Sequence, residues 1–221
     1  NILTIDPTEN YNGLLPITVS ISDGLESALA SFSVTVNPIN DAPELTDIND
    51  QVMDEDGTLV VPLSATDIDD DPLTDIDEDP LTYDAGVNGN ADVSIDGDQL
   101  TIAPYDNFNG LIEVTVFVSD EGLSDYQTFI LEVMPINDAP TINDVATQEI
   151  DEDRSLEVPL FGDDIDVDDI LTFSVVDTEN AAVTVVGNIL TISPTSDYNG
   201  EFPITVSISD GLESASTSFS V

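Results

Sequence analysis

Apolar and polar residues alternate at period two along nearly the whole chain. In PITVSIS, Ile17, Val19 and Ile21 fall on one side, and Thr18, Ser20 and Ser22 on the other. Ile112, Val114, Val116 and Val118 repeat the pattern, as do Phe129, Leu131 and Val133, then Leu156, Val158 and Leu160. Successive strand side chains point to opposite faces, so each run predicts a half-buried β-strand. No stretch carries helical spacing. The predicted strands are short and are separated by Asn-Gly, Asp-Gly and Pro signals. Some seven strands in about 90 residues predict an all-β fold, an antiparallel seven-strand Greek-key sandwich.

The pattern also repeats. PINDAP occurs at 38–43 and 135–140, and Asp-Glu-Asp at 54–56 and 151–153, both 97 residues apart. Leu-Thr-Ile recurs at 3–5, 100–102 and 190–192, and a Tyr/Phe-Asn-Gly turn at 11–13, 108–110 and 198–200. Three units follow: 1–43 as the C-terminal half of a domain plus linker, 44–140 as a complete domain, and 141–221 as a nearly complete one. Leu100 and Leu190 are only 90 residues apart, and that shortening is accounted for by an eight-residue duplication in the middle unit, DIDDDPLT followed by DIDEDPLT at 67–82. Glu55 to Asp67 and Glu152 to Asp164 are both 12 residues, so Asp67 and Asp69 are in frame with the strand before them. Residues 71–79 are then an inserted acidic loop. Residues 1–34 match 188–221 at 27 of 34 positions, which suggests two alternating domain types with a period of 187 residues. The abrupt start on NILTI reads as a window in a longer polypeptide.

Composition changes the picture in one respect. The 221 residues carry a formal net charge of −46, with Arg154 as the sole basic side chain. At 40% hydrophobic residues the chain has enough apolar side chains to bury a core, unlike acidic chains that stay disordered. The acid therefore belongs to surface and loops, where it repels itself unless cations intervene. No basic patch exists to meet phosphates, which excludes nucleic acid and disfavours an anionic membrane. No run is long and apolar enough to span a bilayer. The absence of cysteine permits an extracellular location without disulfides.

The acids are placed, not scattered. Asp-Glu-Asp precedes a predicted strand. An Asp-Ile-Asp-x-Asp element, at 67–71, 75–79 and 164–168, follows it. A polar pair precedes the aromatic turn (Glu9-Asn10, Asp106-Asn107, Ser196-Asp197), and Asp23, Asp120 and Asp210 each end a strand. The linkers add Asn40-Asp41 and Asn137-Asp138. Carboxylates and amide carbonyls in such number suit Ca²⁺, a hard cation taking six to eight oxygens in flexible geometry. With histidine and cysteine absent, zinc, copper and iron are poor candidates. An EF-hand fails, because its sixth loop position needs a left-handed glycine and holds Pro72. Paired carboxylates also raise glycosidase chemistry, but acids repeated in every domain argue for scaffolding, and no enzyme is expected. The aromatic of the Tyr/Phe-Asn-Gly turn reads as a plug at the sandwich end, with a carbohydrate platform as the alternative.

In order, Asp-Glu-Asp, LVVPLSAT, DIDDD, LTY, PYDNFNG, VTVFVSD and INDAP resemble the cadherin domain in its bacterial tandem-repeat form, and the resemblance covers the whole chain. It implies cadherin/Ig-like sandwiches arranged end to end, with calcium between consecutive domains. Carried over by motif, one junction would use Glu55, Asp106, Asn107, Asn137, Asp138, Asp164, Asp166 and Asp210. The preceding junction would use Asn10, Asn40, Asp41, Asp67, Asp69 and Asp120. Two departures imply fewer or weaker ions than in animal cadherins: the linker lacks its opening Asp, with Asn37-Pro38 and Met134-Pro135 there, and Asn10 and Asn107 replace an expected acid. The expected function is a calcium-rigidified extender of a large extracellular adhesin or cell-surface fibre, outside a prokaryotic cell. Its partners would be neighbouring repeats, other copies in a fibre, or a surface ligand held elsewhere in the parent protein. The alternatives are a calcium-dependent polysaccharide- or partner-binding module, and acid that merely solvates a halophile's protein.

Overall fold

The computed structural model describes residues 2–68, 81–120 and 122–221. The chain divides into two compact units, Asn1–Pro135 and Ile136–Val221. No helix occurs among the described residues. The duplicated loop from Asp69 through residue 80 lies outside them, as does Glu121.

The first unit opens with a hairpin, β1 (Gly13–Ser22) and β2 (Ser27–Val36), paired over its full length from Gly13↔Val36 to Ser22↔Ser27. A sandwich follows: β3 (Glu44–Leu45), β4 (Gln51–Asp54), β5 (Leu59–Pro62), β6 (Ala65–Thr66), β7 (Thr82–Val87), β8 (Ala91–Asp96), β9 (Gln99–Pro104), β10 (Gly110–Ser119) and β11 (Ser124–Met134). One sheet runs β4-β11-β10-β7, with β4 parallel to β11, and the other β5-β9-β8, with β3 paired to β6. β3 and β4 are halves of one broken strand, as are β5 and β6, so the sandwich has the seven strands of the Ig-like Greek key. The crossing from β7 in one sheet to β8 in the other, and back from β9 to β10, is the Greek-key connection.

The core explains the alternation. Along β10 the inward Ile112, Val114, Val116 and Val118 are fully buried, as are Leu131 on β11 and Leu100 and Ile102 on the facing sheet. Burying each such side chain is worth roughly 1.5–3 kcal/mol, which a half-polar strand recovers only when its apolar face meets another sheet. β8 and β9 are joined by two residues, Gly97-Asp98, and the glycine adopts φ 61°, which hairpin loops of this length require.

The second unit repeats the plan with β12 (Thr141–Ile142), β13 (Leu156–Pro159), β14 (Gly162–Asp163), β15 (Thr172–Val175), β16 (Ala181–Val186), β17 (Ile189–Pro194), β18 (Pro203–Ser209) and β19 (Ser214–Ser220). Its sheets are β13-β17-β16 and β15-β18-β19, with β12 paired to β14. Leu190, Ile192, Ile204, Val206 and Ile208 fill its core at 0–1% exposure. A single backbone bond, Gln148 N–H to Ser220 O, stands where β4 pairs with β11 in the first unit.

Candidate metal centre

Each strand-ending aspartate first serves its own turn. Asp23 Oδ1 accepts from the backbone N–H groups of Glu26 and Leu25, at 2.8 and 2.9 Å. Asp120 Oδ1 does the same for Leu123 and Gly122 at 2.7 and 2.8 Å, and Asp210 Oδ1 for Leu212 and Glu213, both at 2.6 Å. The side chain replaces a backbone acceptor, which is why Ser-Asp recurs at this corner. The second carboxylate oxygen is left for the linker. Asn40 Nδ2 donates to Asp120 Oδ2 at 3.0 Å, and Asn137 Nδ2 to Asp210 Oδ2, also at 3.0 Å. Gly122 leaves room for the first of these, since a Cβ there would lie 3.2 Å from Asn40 Nδ2.

These donors set the protonation of the aspartates. The Glu26 N–H, then that of Leu25, holds Asp23 below the ordinary carboxylate value. The Leu123 N–H, with Gly122 and Asn40 behind it, lowers Asp120, which is buried at 5% exposure. Asn137, then Glu213 and Leu212, lowers Asp210. A hydrogen bond donated to the ionised form stabilises it.

The acidic loop after β14 is different. Asp164 Oδ1 accepts the Asp166 N–H at 3.1 Å, and Asp166 Oδ2 accepts the Asp138 N–H at 2.8 Å. Carboxylate oxygens of Asp164, Asp166 and Asp169 lie within 4.8 Å of one another. Asp164 Oδ2 is buried without a hydrogen-bond partner. Loss of solvation beside its neighbours, then the charges of Asp166, Asp164, Asp210 and Asp168, push the exposed Asp169 above the ordinary carboxylate value. Three carboxylates with a buried, unsatisfied oxygen repel each other unless a cation stands among them, and an all-oxygen set fits a hard divalent ion. Asp169 was not among the ligands expected from sequence, although the acidic run Asp163-Asp164 through Asp168-Asp169 was a readable signal.

The remaining expected ligands fall in the first unit. Glu55 is buried at 3% exposure and receives Asn109 Nδ2 at its Oε2, 3.3 Å away. Asn109, which the sequence offers only as half of a turn, is therefore a positioning partner of that acid. Asp56 Oδ1 accepts the Asn107 N–H at 2.9 Å, and Asp153 does the same for Asp197 at 3.4 Å. Asn10, Asn107 and Asp197 have φ near +60°, a conformation that favours Asn and Asp over larger acids. That is a local reason for asparagine where the cadherin pattern expects an acid. Asp106 and Asp41 are exposed, Asp67 is half-buried, and Asp69 lies outside the described residues.

Two of the three aromatic turns pack against a core as expected, while Tyr11 of the first turn is exposed. Phe108 packs on the first core and Tyr198 on the second, where Tyr198 meets Phe202 edge-on at 5.8 Å. Not all aromatics are inward, however. Phe117 and Tyr126 pair across β10 and β11 with ring centroids 5.8 Å apart, 41% and 64% exposed. Strand faces also carry some acid, including Asp84, Asp92, Glu113 and Glu132, while β1, β2, β18 and β19 alternate with Ser and Thr.

Sandwiches of this topology following one another in one chain define a tandem Ig-like repeat protein. The chain belongs to the bacterial Ig domain family, whose model matches residues 40–132 and 137–221. No curated protein matches it in sequence. Among solved structures it is similar in fold to protocadherin gamma B2 extracellular cadherin domains 1–5 (TM-score 0.55, 18% identity, covering 95% of this chain and 45% of that one). It is also similar to the EC1–4 fragment of PcdhgB3 (TM-score 0.53, 12% identity, covering 95% of this chain and 56% of that one). An endo-fucoidan hydrolase of glycoside hydrolase family 107 matches at a TM-score of 0.36 and 16% identity over 96% of this chain, too slight a likeness to carry an argument. The chain spans from 34% to 56% of the length of these structures.

Proposed function

We propose that this chain is a non-enzymatic, calcium-stiffened structural repeat of an extracellular bacterial adhesin or surface fibre. The observation that carries the reading is the Asp164–Asp166–Asp169 cluster with its unsatisfied, buried Asp164 Oδ2. In the calcium-bound protein Asp164, Asp166, Asp169, Asp138 and Asp210 would supply ligands beside Asn137, and Glu55, Asp106 and Asn107 would complete the set. Asn10, Asn40, Asp41, Asp67, Asp69 and Asp120 would form the preceding set. The extent of the repeats, 1–43, 44–140 and 141–221, is part of the same proposal. Calcium would supply positive charge where the chain has none, and would stabilise the folded state by mass action. The chain's own residues do the positioning: Asn137 holds Asp210, and the Asp138 amide holds Asp166.

Calcium titration of the full chain, read by calorimetry and small-angle scattering, tests this. Saturable binding is expected, with a higher melting temperature and a stiffer array. Chelation that changes neither scattering nor melting would sink the reading. The exposed Phe117–Tyr126 pair favours a second reading, a polysaccharide- or partner-binding module, because paired aromatic faces suit sugar rings. Under it, Tyr126→Ala abolishes retention on a polysaccharide column and leaves calcium binding unchanged.

A further inference from the structure

The outer face of the first sandwich carries two rings that the second sandwich lacks. The strands pair in the same register in both units, with β7 beside β10 as β15 lies beside β18. Phe117 stands opposite Tyr126, where the second unit has Ser207 opposite Ser216. Those serines hydrogen-bond each other at 3.0 Å, and the hairpin β1–β2 has Ser20 opposite Leu29. Two residues along each strand the units agree again: Thr115 meets Thr128 at 3.0 Å, and Thr205 meets Ser218 at 2.9 Å. The second sandwich forms on a pair of hydroxyls, so the plan does not require aromatic rings here. A cross-strand aromatic pair adds only about 0.2–1 kcal/mol to a sheet, a weak reason to hold two rings in solvent. Phe117 is 41% and Tyr126 64% exposed.

Two further differences surround the rings. Asp84 on β7 is the cross-strand partner of Phe117, where the second unit has Ser174. Cβ atoms of such partners lie about 4.5–5.5 Å apart, so the carboxylate borders the ring. Asp84 is exposed, and its Oδ1 accepts the Ala85 N–H at 2.9 Å. Gly86, the partner of Thr115, has nothing within 4 Å of where a Cβ would stand, and the exposed Val176 takes its place in the second unit. The backbone beside the rings is therefore bare, with the Thr115–Thr128 hydroxyls next along the face.

Charge decides what such a face attracts. Glu113 and Glu132 share it with Asp84, in a chain of formal net charge −46 with one basic side chain. An anionic polymer is repelled. A cation within about 6 Å of either ring centroid is attracted by the ring face, and here it also meets the Asp84 carboxylate. A neutral sugar would use the rings and leave that carboxylate idle.

We propose that Phe117, Tyr126 and Asp84 form a binding site for amino sugars with free ammonium groups, carried in a polysaccharide. The proposal rests on the polysaccharide reading and narrows it to cationic chains. The rings take the apolar face of the pyranose, Asp84 takes the ammonium, and Thr115 and Thr128 offer hydroxyl partners over the bare Gly86.

The test measures binding of the full chain to short glucosamine oligomers and to N-acetylglucosamine oligomers of equal length. Acetylation removes the charge and keeps the ring. Calorimetric titration is run in mildly acidic buffer, where the amines are charged, at about 0.15 M salt, where exposed charges beyond about 8 Å are largely screened. The glucosamine oligomer should bind at least roughly tenfold more tightly. Phe117→Ser combined with Tyr126→Ser copies the second unit and should abolish that binding while leaving the melting temperature nearly unchanged. Asp84→Ser, a change at an exposed position, should erase the preference and retain weak binding of both oligomers, and it tests the same point if the double variant melts early. Equal affinity for the two oligomers overturns the cationic assignment and leaves the polysaccharide reading standing. Glucosamine binding that survives the double substitution overturns the assignment too, because net charge alone then holds the ligand. Binding of neither oligomer also overturns it, and retention of the chain on a polysaccharide column then decides the broader reading.

Discussion

At the scale of the residue, the aspartates divide by what they receive. Asp23, Asp120 and Asp210 accept backbone and asparagine N–H groups that favour the charged form, so their folded values are depressed. Each therefore contributes stability that is present above the unfolded carboxylate value, about 3.9, and is lost as pH falls through the folded one. Asp169 has the opposite sign: its folded value is raised, so the metal-free protein gains stability as pH falls through it towards the ordinary value. The expected metal-free profile is a rise in melting temperature on mild acidification, then a fall below about pH 4. Asp169→Asn should flatten the first limb in a thermal-melt pH series, raise the metal-free melting temperature at pH 7, and weaken calcium binding. Gly162 is the most constrained small residue. A Cβ there would meet Ile208 Cδ1 and the Thr141 carbonyl at 2.5 Å, and the carbonyl belongs to a paired strand. Gly162→Ala should destabilise the second unit by about 1–3 kcal/mol in denaturant titration, as overpacking does.

At the scale of the element, the period-two pattern was sufficient for strands but not for their surroundings. Ile112 through Val118 predict an inward face and have one. Ile17, Val19 and Ile21 predict the same face and leave it largely uncovered, because alternation says which side chains share a face and nothing about what meets it. In the second unit the same heptapeptide, PITVSIS, lies over β13-β17-β16. Leu190→Ala should therefore cost the second unit about 2–5 kcal/mol by cavity formation, while Leu3→Ala should leave chemical denaturation unchanged. The duplicated acidic loop belongs to this scale too. The second unit builds the equivalent strands β13 and β15 with seven fewer residues between them, so a sandwich of this plan forms without the insertion. Deleting residues 71–78 should leave the melting temperature of the first unit nearly unchanged, since each doubling of loop length costs only about 0.6 kcal/mol.

At the scale of the whole molecule, charge dominates. A chain at −46 with one arginine is under self-repulsion that any salt relieves by screening and that a bound ion relieves by neutralisation. Comparing NaCl with CaCl₂ at equal ionic strength separates the two. The calcium reading expects a larger, saturable rise in melting temperature with CaCl₂, and the halophile reading expects equal curves. The sequence by itself determined the strands, the repeat, the all-β sandwich, and the corner, linker and loop positions at which acids gather. Periodicity and motif order are local properties, and they survive without coordinates. Only the tertiary structure showed that Asp210 is shared between its own turn and Asn137, that Asn109 serves Glu55, and that Asp169 joins Asp164 and Asp166. Those meetings depend on backbone φ, on which carboxylate oxygen is already spoken for, and on contacts between residues up to 73 positions apart. The same cause separates the two hairpins: their sequences nearly coincide, and burial is a property of the neighbour, which a strand's own residues do not encode.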